Sequence, residues 1–73
     1  MIDHGAAARD AARRDHDIAA KEAELAALER RAAEAATSRW QTSAHLRAAA
    51  VHEQIAASHE RAAKQHELEA RAR

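Results

Sequence analysis

Four histidines, His45, His52, His59 and His66, recur every seven residues along the second half of the chain. Three of them are followed directly by glutamate, as His52-Glu53, His59-Glu60 and His66-Glu67. Imidazole nitrogen is a common ligand for zinc, copper and nickel, so the row is a candidate transition-metal site. On a helix, residues seven apart are separated by about 10.5 Å of rise, too far for one ion to join two of them. The sequence also has no His-x-x-x-His pair and no Glu-x-x-His motif of the di-iron bundles. A metal site built on this row therefore needs ligands from a second helix or a second chain.

Two other readings fit the same residues. Histidine can serve as a medium-sized amphipathic residue at a bundle edge, copied along the helix without a chemical role. It can also make packing pH-responsive, since imidazole titrates near pH 6.5 and charging a buried row opposes burial. His16, in Asp15-His16-Asp17, and His4, beside Asp3, are expected to be solvated, because adjacent residues on a helix diverge in direction.

The elements that would carry this row are helices. The chain has no proline, and its one glycine is Gly5, so residues 6–73 hold neither strong helix breaker. Alanine dominates, with Arg, Glu, Leu, Lys and Gln supplying much of the rest, and these side chains lose little freedom in a helix. Asp3 is the expected N-cap, with Ile2 just outside it. Ala11, Ile18, Leu25 and Ala32 form one heptad class, and Ala7, Leu28 and Ala35 form the companion class three residues on. A second ladder, Ala12, Ala19, Ala26 and Ala33, runs beside them. In the second half the classes are Ala48, Ile55 and Ala62, and Ala44, Val51 and Ser58. Ala49, Ala56, Ala63 and Ala70 sit four residues after each histidine.

Continued through Trp40 as one helix, the two apolar stripes would be rotated by roughly 150° from each other. Residues 37–43 concentrate Thr and Ser, which compete for backbone hydrogen bonds, and Ser38 with Gln41 matches a capping box. The spacing therefore predicts helices over 6–36 and 39–71 with a turn around 37–43. Residues 1–36 carry eight acidic and six basic side chains, a balance of −2, and residues 37–73 carry four and six, a balance of +2. Antiparallel packing would bring opposite signs together. One register sets the histidines against Ala32, Leu25, Ile18 and Ala11. Another sets His45, His52 and His59 against Glu29, Glu22 and Asp15. The heptads permit both. Exposed pairs such as Asp10–Arg14, Asp17–Lys21, Glu60–Lys64 and Glu67–Arg71 are expected to add about 0.2–0.5 kcal/mol each.

The expectation is a single all-α domain over residues 1–73: a helical hairpin that dimerises into a four-helix bundle, with a long kinked helix in a coiled coil as the runner-up. A chain this short, with so few large apolar side chains, is marginal as a monomer, and self-association is the natural remedy. Its interface residues are expected to be Ile18, Leu25, Leu28, Trp40, Val51 and Ile55, with Trp40 capping the end of the core or, as the second reading, standing exposed as an anchor for a partner. The partner is a second copy or another protein.

Composition argues against other classes. Twelve basic and twelve acidic residues cancel, so nothing draws the chain to nucleic acid or an anionic membrane. There is no cysteine for a disulfide or a thiolate site. No nucleophile–base constellation or Gly-rich phosphate loop is present, so an enzyme is not expected. No apolar run would span a bilayer, and the N-terminus lacks the regions of a signal peptide, so a cytoplasmic protein is the default expectation.

Overall fold

The computed structural model describes Asp3 and residues 5–72, which form two helices, α1 (Ala6–Ala35) and α2 (Arg39–Ala72). The chain doubles back between them and the helices pack along their length as an antiparallel hairpin, not as one long kinked helix. Ile2 and His4 lie outside the described residues. Among the described residues there is no strand, and no helix is long and apolar enough to cross a membrane.

The turn is shorter than the Thr/Ser-rich stretch suggests. It takes only Ala36, Thr37 and Ser38, while Trp40 to Ser43 already belong to α2. Ala36 leaves the helix in extended conformation, at φ −67° and ψ 143°, which stops α1 without a glycine. Ser38 Oγ then accepts the Gln41 backbone N–H at 3.1 Å, satisfying one of the free donors at the start of α2. Gln41 reaches back as in a capping box, but its Oε1 accepts the Thr37 N–H, one residue before the usual partner. At the other end Gly5, not Asp3, occupies the cap position of α1. Asp3 sits two residues earlier, where its Oδ1 accepts the Gly5 N–H at 2.9 Å and its carboxylate pairs with Arg9.

The seam between the helices is made of alanine. Ala8, Ala12, Ala19, Ala26 and Ala33 are buried on α1, and Ala49 and Ala63 on α2, the last two completely. No larger side chain is fully buried among the described residues. The ladder beside the expected stripe is therefore the packing line within the hairpin, and Ile18, Leu25, Leu28 and Val51 remain exposed. The reason is one of size. Methyl groups at every contact let two helix axes approach at the short end of the usual range of about 8–10 Å, so backbone and Cβ atoms pack along the whole length. Trp40 is 74% exposed and does not cap the seam.

Candidate histidine–carboxylate row

Alanine occupies the seam, so the residues three or four positions away line its two edges. On one edge α2 presents the histidine ladder, and α1 presents Asp15, Glu22 and Glu29, each three residues after a seam alanine. The helices adopt the carboxylate register. His45 Nδ1 lies 2.7 Å from Glu29, His52 Nδ1 2.5 Å from Glu22, and His59 Nδ1 2.7 Å from Asp15. These three rungs are equivalent: in each the same ring nitrogen donates to a part-buried carboxylate. Such a contact fixes the neutral ring as the Nδ1–H tautomer and leaves Nε2 with its lone pair. His66 departs from the series. The α1 residue opposite it in the same register is Ala8, and His66 turns instead to Glu69 at 3.3 Å and to Asp15 at 3.6 Å.

The other edge reverses the arrangement. Glu53, Glu60 and Glu67 of α2 follow His52, His59 and His66 by one residue and face basic groups of α1. Glu53 pairs with Arg30. His16 is not solvated as its immediate neighbours suggest: its Nε2 lies 2.7 Å from Glu67 and its Nδ1 3.1 Å from Glu60. Glu60 and Glu67 thus turn across the seam rather than along their own helix, and Asp10 lies 3.7 Å from Arg13. With acids on α1 and imidazoles on α2 along one edge, and bases on α1 and acids on α2 along the other, both edges favour the antiparallel orientation. The Arg30–Glu53 and His16 pairs are half-open to water and contribute modestly to stability, while the His52–Glu22 and His59–Asp15 pairs are more covered.

The hydrogen bonds to Glu67 and Glu60, with their negative charge, raise the pKa of His16 above its ordinary 6.5. A raised pKa in the folded state stabilises the protein fully below the unfolded value, and this contribution disappears as pH rises through the folded value. The thermal midpoint of the native protein should therefore exceed that of His16→Gln at pH 5.5, with the gap closing as the solution is made alkaline. A gap independent of pH would show that the His16 bridge is not formed by imidazolium.

Of the large apolar side chains left off the seam, Ile18, Leu25, Leu28, Val51 and the half-buried Ile55 lie on one side of the hairpin, while Trp40, Leu46 and Leu68 are exposed on the other. Ile18 and Leu25 follow Asp15 and Glu22 by three residues, and Ala48, Ile55 and Ala62 follow His45, His52 and His59 by three. Both sets lie next outward from the histidine–carboxylate row, roughly 100° around each helix from the alanine seam. The row thus runs down the middle of one face of the hairpin, flanked by Ala11, Ile18, Leu25 and Ala32 on one side and Ala48, Ile55 and Ala62 on the other. The opposite face is charged, with Asp17, Glu24, Arg31, Arg47 and Arg61 on its outer positions, all exposed. Trp40 shares its heptad class with Arg47, Gln54, Arg61 and Leu68 and so belongs to that mainly charged side. A shallow depression there is lined by Ala23, Ala26, Ala27 and Ala56 and by the Arg30–Glu53 pair.

Within one chain the His45–Glu29 and His52–Glu22 rungs each bring together one imidazole and one carboxylate, and at the third Asp15 meets His59 and, at 3.6 Å, His66. Among the described residues no cluster of three or more His, Asp or Glu side chains is arranged to hold a metal ion. The chain matches no protein-family model, no curated protein and no solved structure.

Proposed function

We propose that this chain is a non-enzymatic self-assembling module, a helical hairpin that pairs with a second copy of itself through the face flanking the histidine–carboxylate row to form a four-helix bundle. The observation that carries this reading is the position of the large apolar groups. The hairpin seals its own seam with methyl groups and leaves Ile18, Leu25 and, at the rim, Leu28 and Val51 exposed on one side, with Ile55 half-buried there; the other exposed large apolar groups, Trp40, Leu46 and Leu68, fall in two heptad classes on the far side.

The surface area supports the same reading. The chain exposes 5516 Å². A compact monomer of 8.0 kDa is expected to expose about 4,450 Å². The excess is close to the roughly 800 Å² that each partner contributes to an interface of standard size. Helix geometry fits as well. In a square arrangement of four helices, each meets two neighbours at about 90° to one another. The alanine seam and the Ile18/Leu25/Ile55 stripe stand at that angle, so each helix has one line of contact for its own hairpin and one for the partner. Trp40, on the charged side, takes no part in this pairing.

Sedimentation equilibrium on metal-free protein tests the reading. A mass twice that of the chain across the micromolar range is the expected result. A single species with the mass of one chain at those concentrations would reject it.

A further inference from the structure

The three equivalent rungs have a property that pairing of the hairpins would put to use. In a four-helix arrangement, side chains between a helix's two lines of contact point at the central axis. The rung residues occupy that position, roughly 50° from the alanine seam and as far again from the Ile/Leu stripe. We propose that the second copy completes a row of transition-metal sites along this axis, in which each layer receives one histidine Nε2 from either chain and the carboxylate of each rung holds the ring in place. The ions concerned are those that favour imidazole: zinc, nickel or copper.

The hydrogen bonding within the rungs is what points to a metal. A metal-binding histidine characteristically donates its other ring N–H to a carboxylate, which fixes the tautomer and aims the free nitrogen at the ion. His45, His52 and His59 all meet that description, through Nδ1 to Glu29, Glu22 and Asp15. Their Nε2 atoms have no hydrogen-bond partner among the described residues. One chain offers too few ligands here, since among its described residues no three His, Asp or Glu side chains are arranged to hold an ion. Two chains offer two imidazoles and two carboxylates in every layer. That composition is the same whether the hairpins pair parallel or antiparallel, because the rungs are alike and evenly spaced. Water fills the remaining positions on each ion. His66 lies outside the series, since Ala8 stands where its carboxylate would be.

This inference rests on the pairing proposed above, and the test separates the two. Metal-free protein is dialysed against zinc chloride, and bound zinc and sedimentation mass are measured on the same samples. The expected result is a dimer that retains up to three zinc ions. Replacing His45, His52 and His59 together with Gln should weaken zinc binding at least tenfold, whereas H66Q should leave it unchanged. Glu22→Gln, which keeps the size of the side chain and its place on α1, should weaken the central site by about 10–100-fold with little change in helicity. A dimer that binds no zinc, or binds it equally well after the triple replacement, would overturn the metal sites and leave the pairing intact. A monomer that dimerises only when zinc is added would support the sites and overturn constitutive pairing. A monomer with and without zinc, and with none bound, would overturn both.

Discussion

Replacing Ala49 and Ala63 with leucine is expected to open the hairpin. Both alanines are completely buried at the seam, where the opposing surface consists of the α1 alanines and their backbone. Leucine adds three carbons at each place, and no neighbouring large side chain can be trimmed or turned to make room. Overpacking of this kind costs about 1–3 kcal/mol per site. The hairpin has little in reserve, because among the described residues no side chain larger than alanine is buried in it. Circular dichroism at 222 nm during thermal unfolding should show a midpoint lowered by well over ten degrees, or no cooperative transition at all. The control is the same change at Ala50 and Ala57, which are exposed on α2 and should leave the midpoint almost unmoved. Equal effects at both pairs of positions would contradict the alanine seam.

The second large effect is expected on assembly rather than on the hairpin. Changing Ile18, Leu25 and Ile55 to serine removes three apolar side chains from each chain and six from the proposed interface. Burying each contributes roughly 1.5–3 kcal/mol. At about 1.4 kcal/mol per tenfold change in affinity, the dissociation constant should rise by several orders of magnitude. In sedimentation the variant should run as a monomer at concentrations where the native chain is a dimer. Trp40→Ser is the complementary variant: it removes the largest exposed apolar group, yet it should not change the mass. Dissociation by the tryptophan change and not by the triple serine change would place the contact on the charged face instead.

Much of this architecture is legible in the sequence, and the reasons for the exceptions are specific. The absence of proline, the single glycine and the heptads suffice for two helices, and Ser38 with Gln41 marks where the second begins. The register is half legible. Both helices repeat every seven residues, so periodicity narrows the partners of the histidines to two classes and cannot choose between them. The choice is made by size, which a search for large apolar residues overlooks: the hairpin closes on Ala12, Ala19, Ala26 and Ala33 because they permit the closest approach, and the stripe of Ile18 and Leu25 is displaced outward. His16 escapes notice for a related reason. Its sequence neighbours Asp15 and Asp17 point elsewhere on the helix, while its partners Glu60 and Glu67 are more than forty residues away. A signal was available in the heptad class Arg9, His16, Ala23 and Arg30, which is basic at three places and faces the class Glu53, Glu60 and Glu67. Trp40 misleads in the opposite way, since a lone aromatic residue near a turn suggests a lid, whereas its heptad class, Arg47, Gln54, Arg61 and Leu68, is mainly polar and faces away from the seam.

The sameness of the rungs has a cost in identity. A histidine of α2 finds an equivalent carboxylate one heptad along, and it finds the same carboxylates on another molecule as on its own. Nothing in the seam distinguishes self from neighbour. What keeps the chain folded on itself is the three-residue connection from Ala36 to Ser38, which holds the two helices at an effective concentration in the millimolar range. If that connection were straightened into continuous helix, every contact described for the hairpin could be remade between two chains. The product would be a domain-swapped dimer, and with staggered registers an open filament of the same contacts. The turn, which contributes almost nothing to the buried surface, is therefore the element that keeps these contacts within one chain.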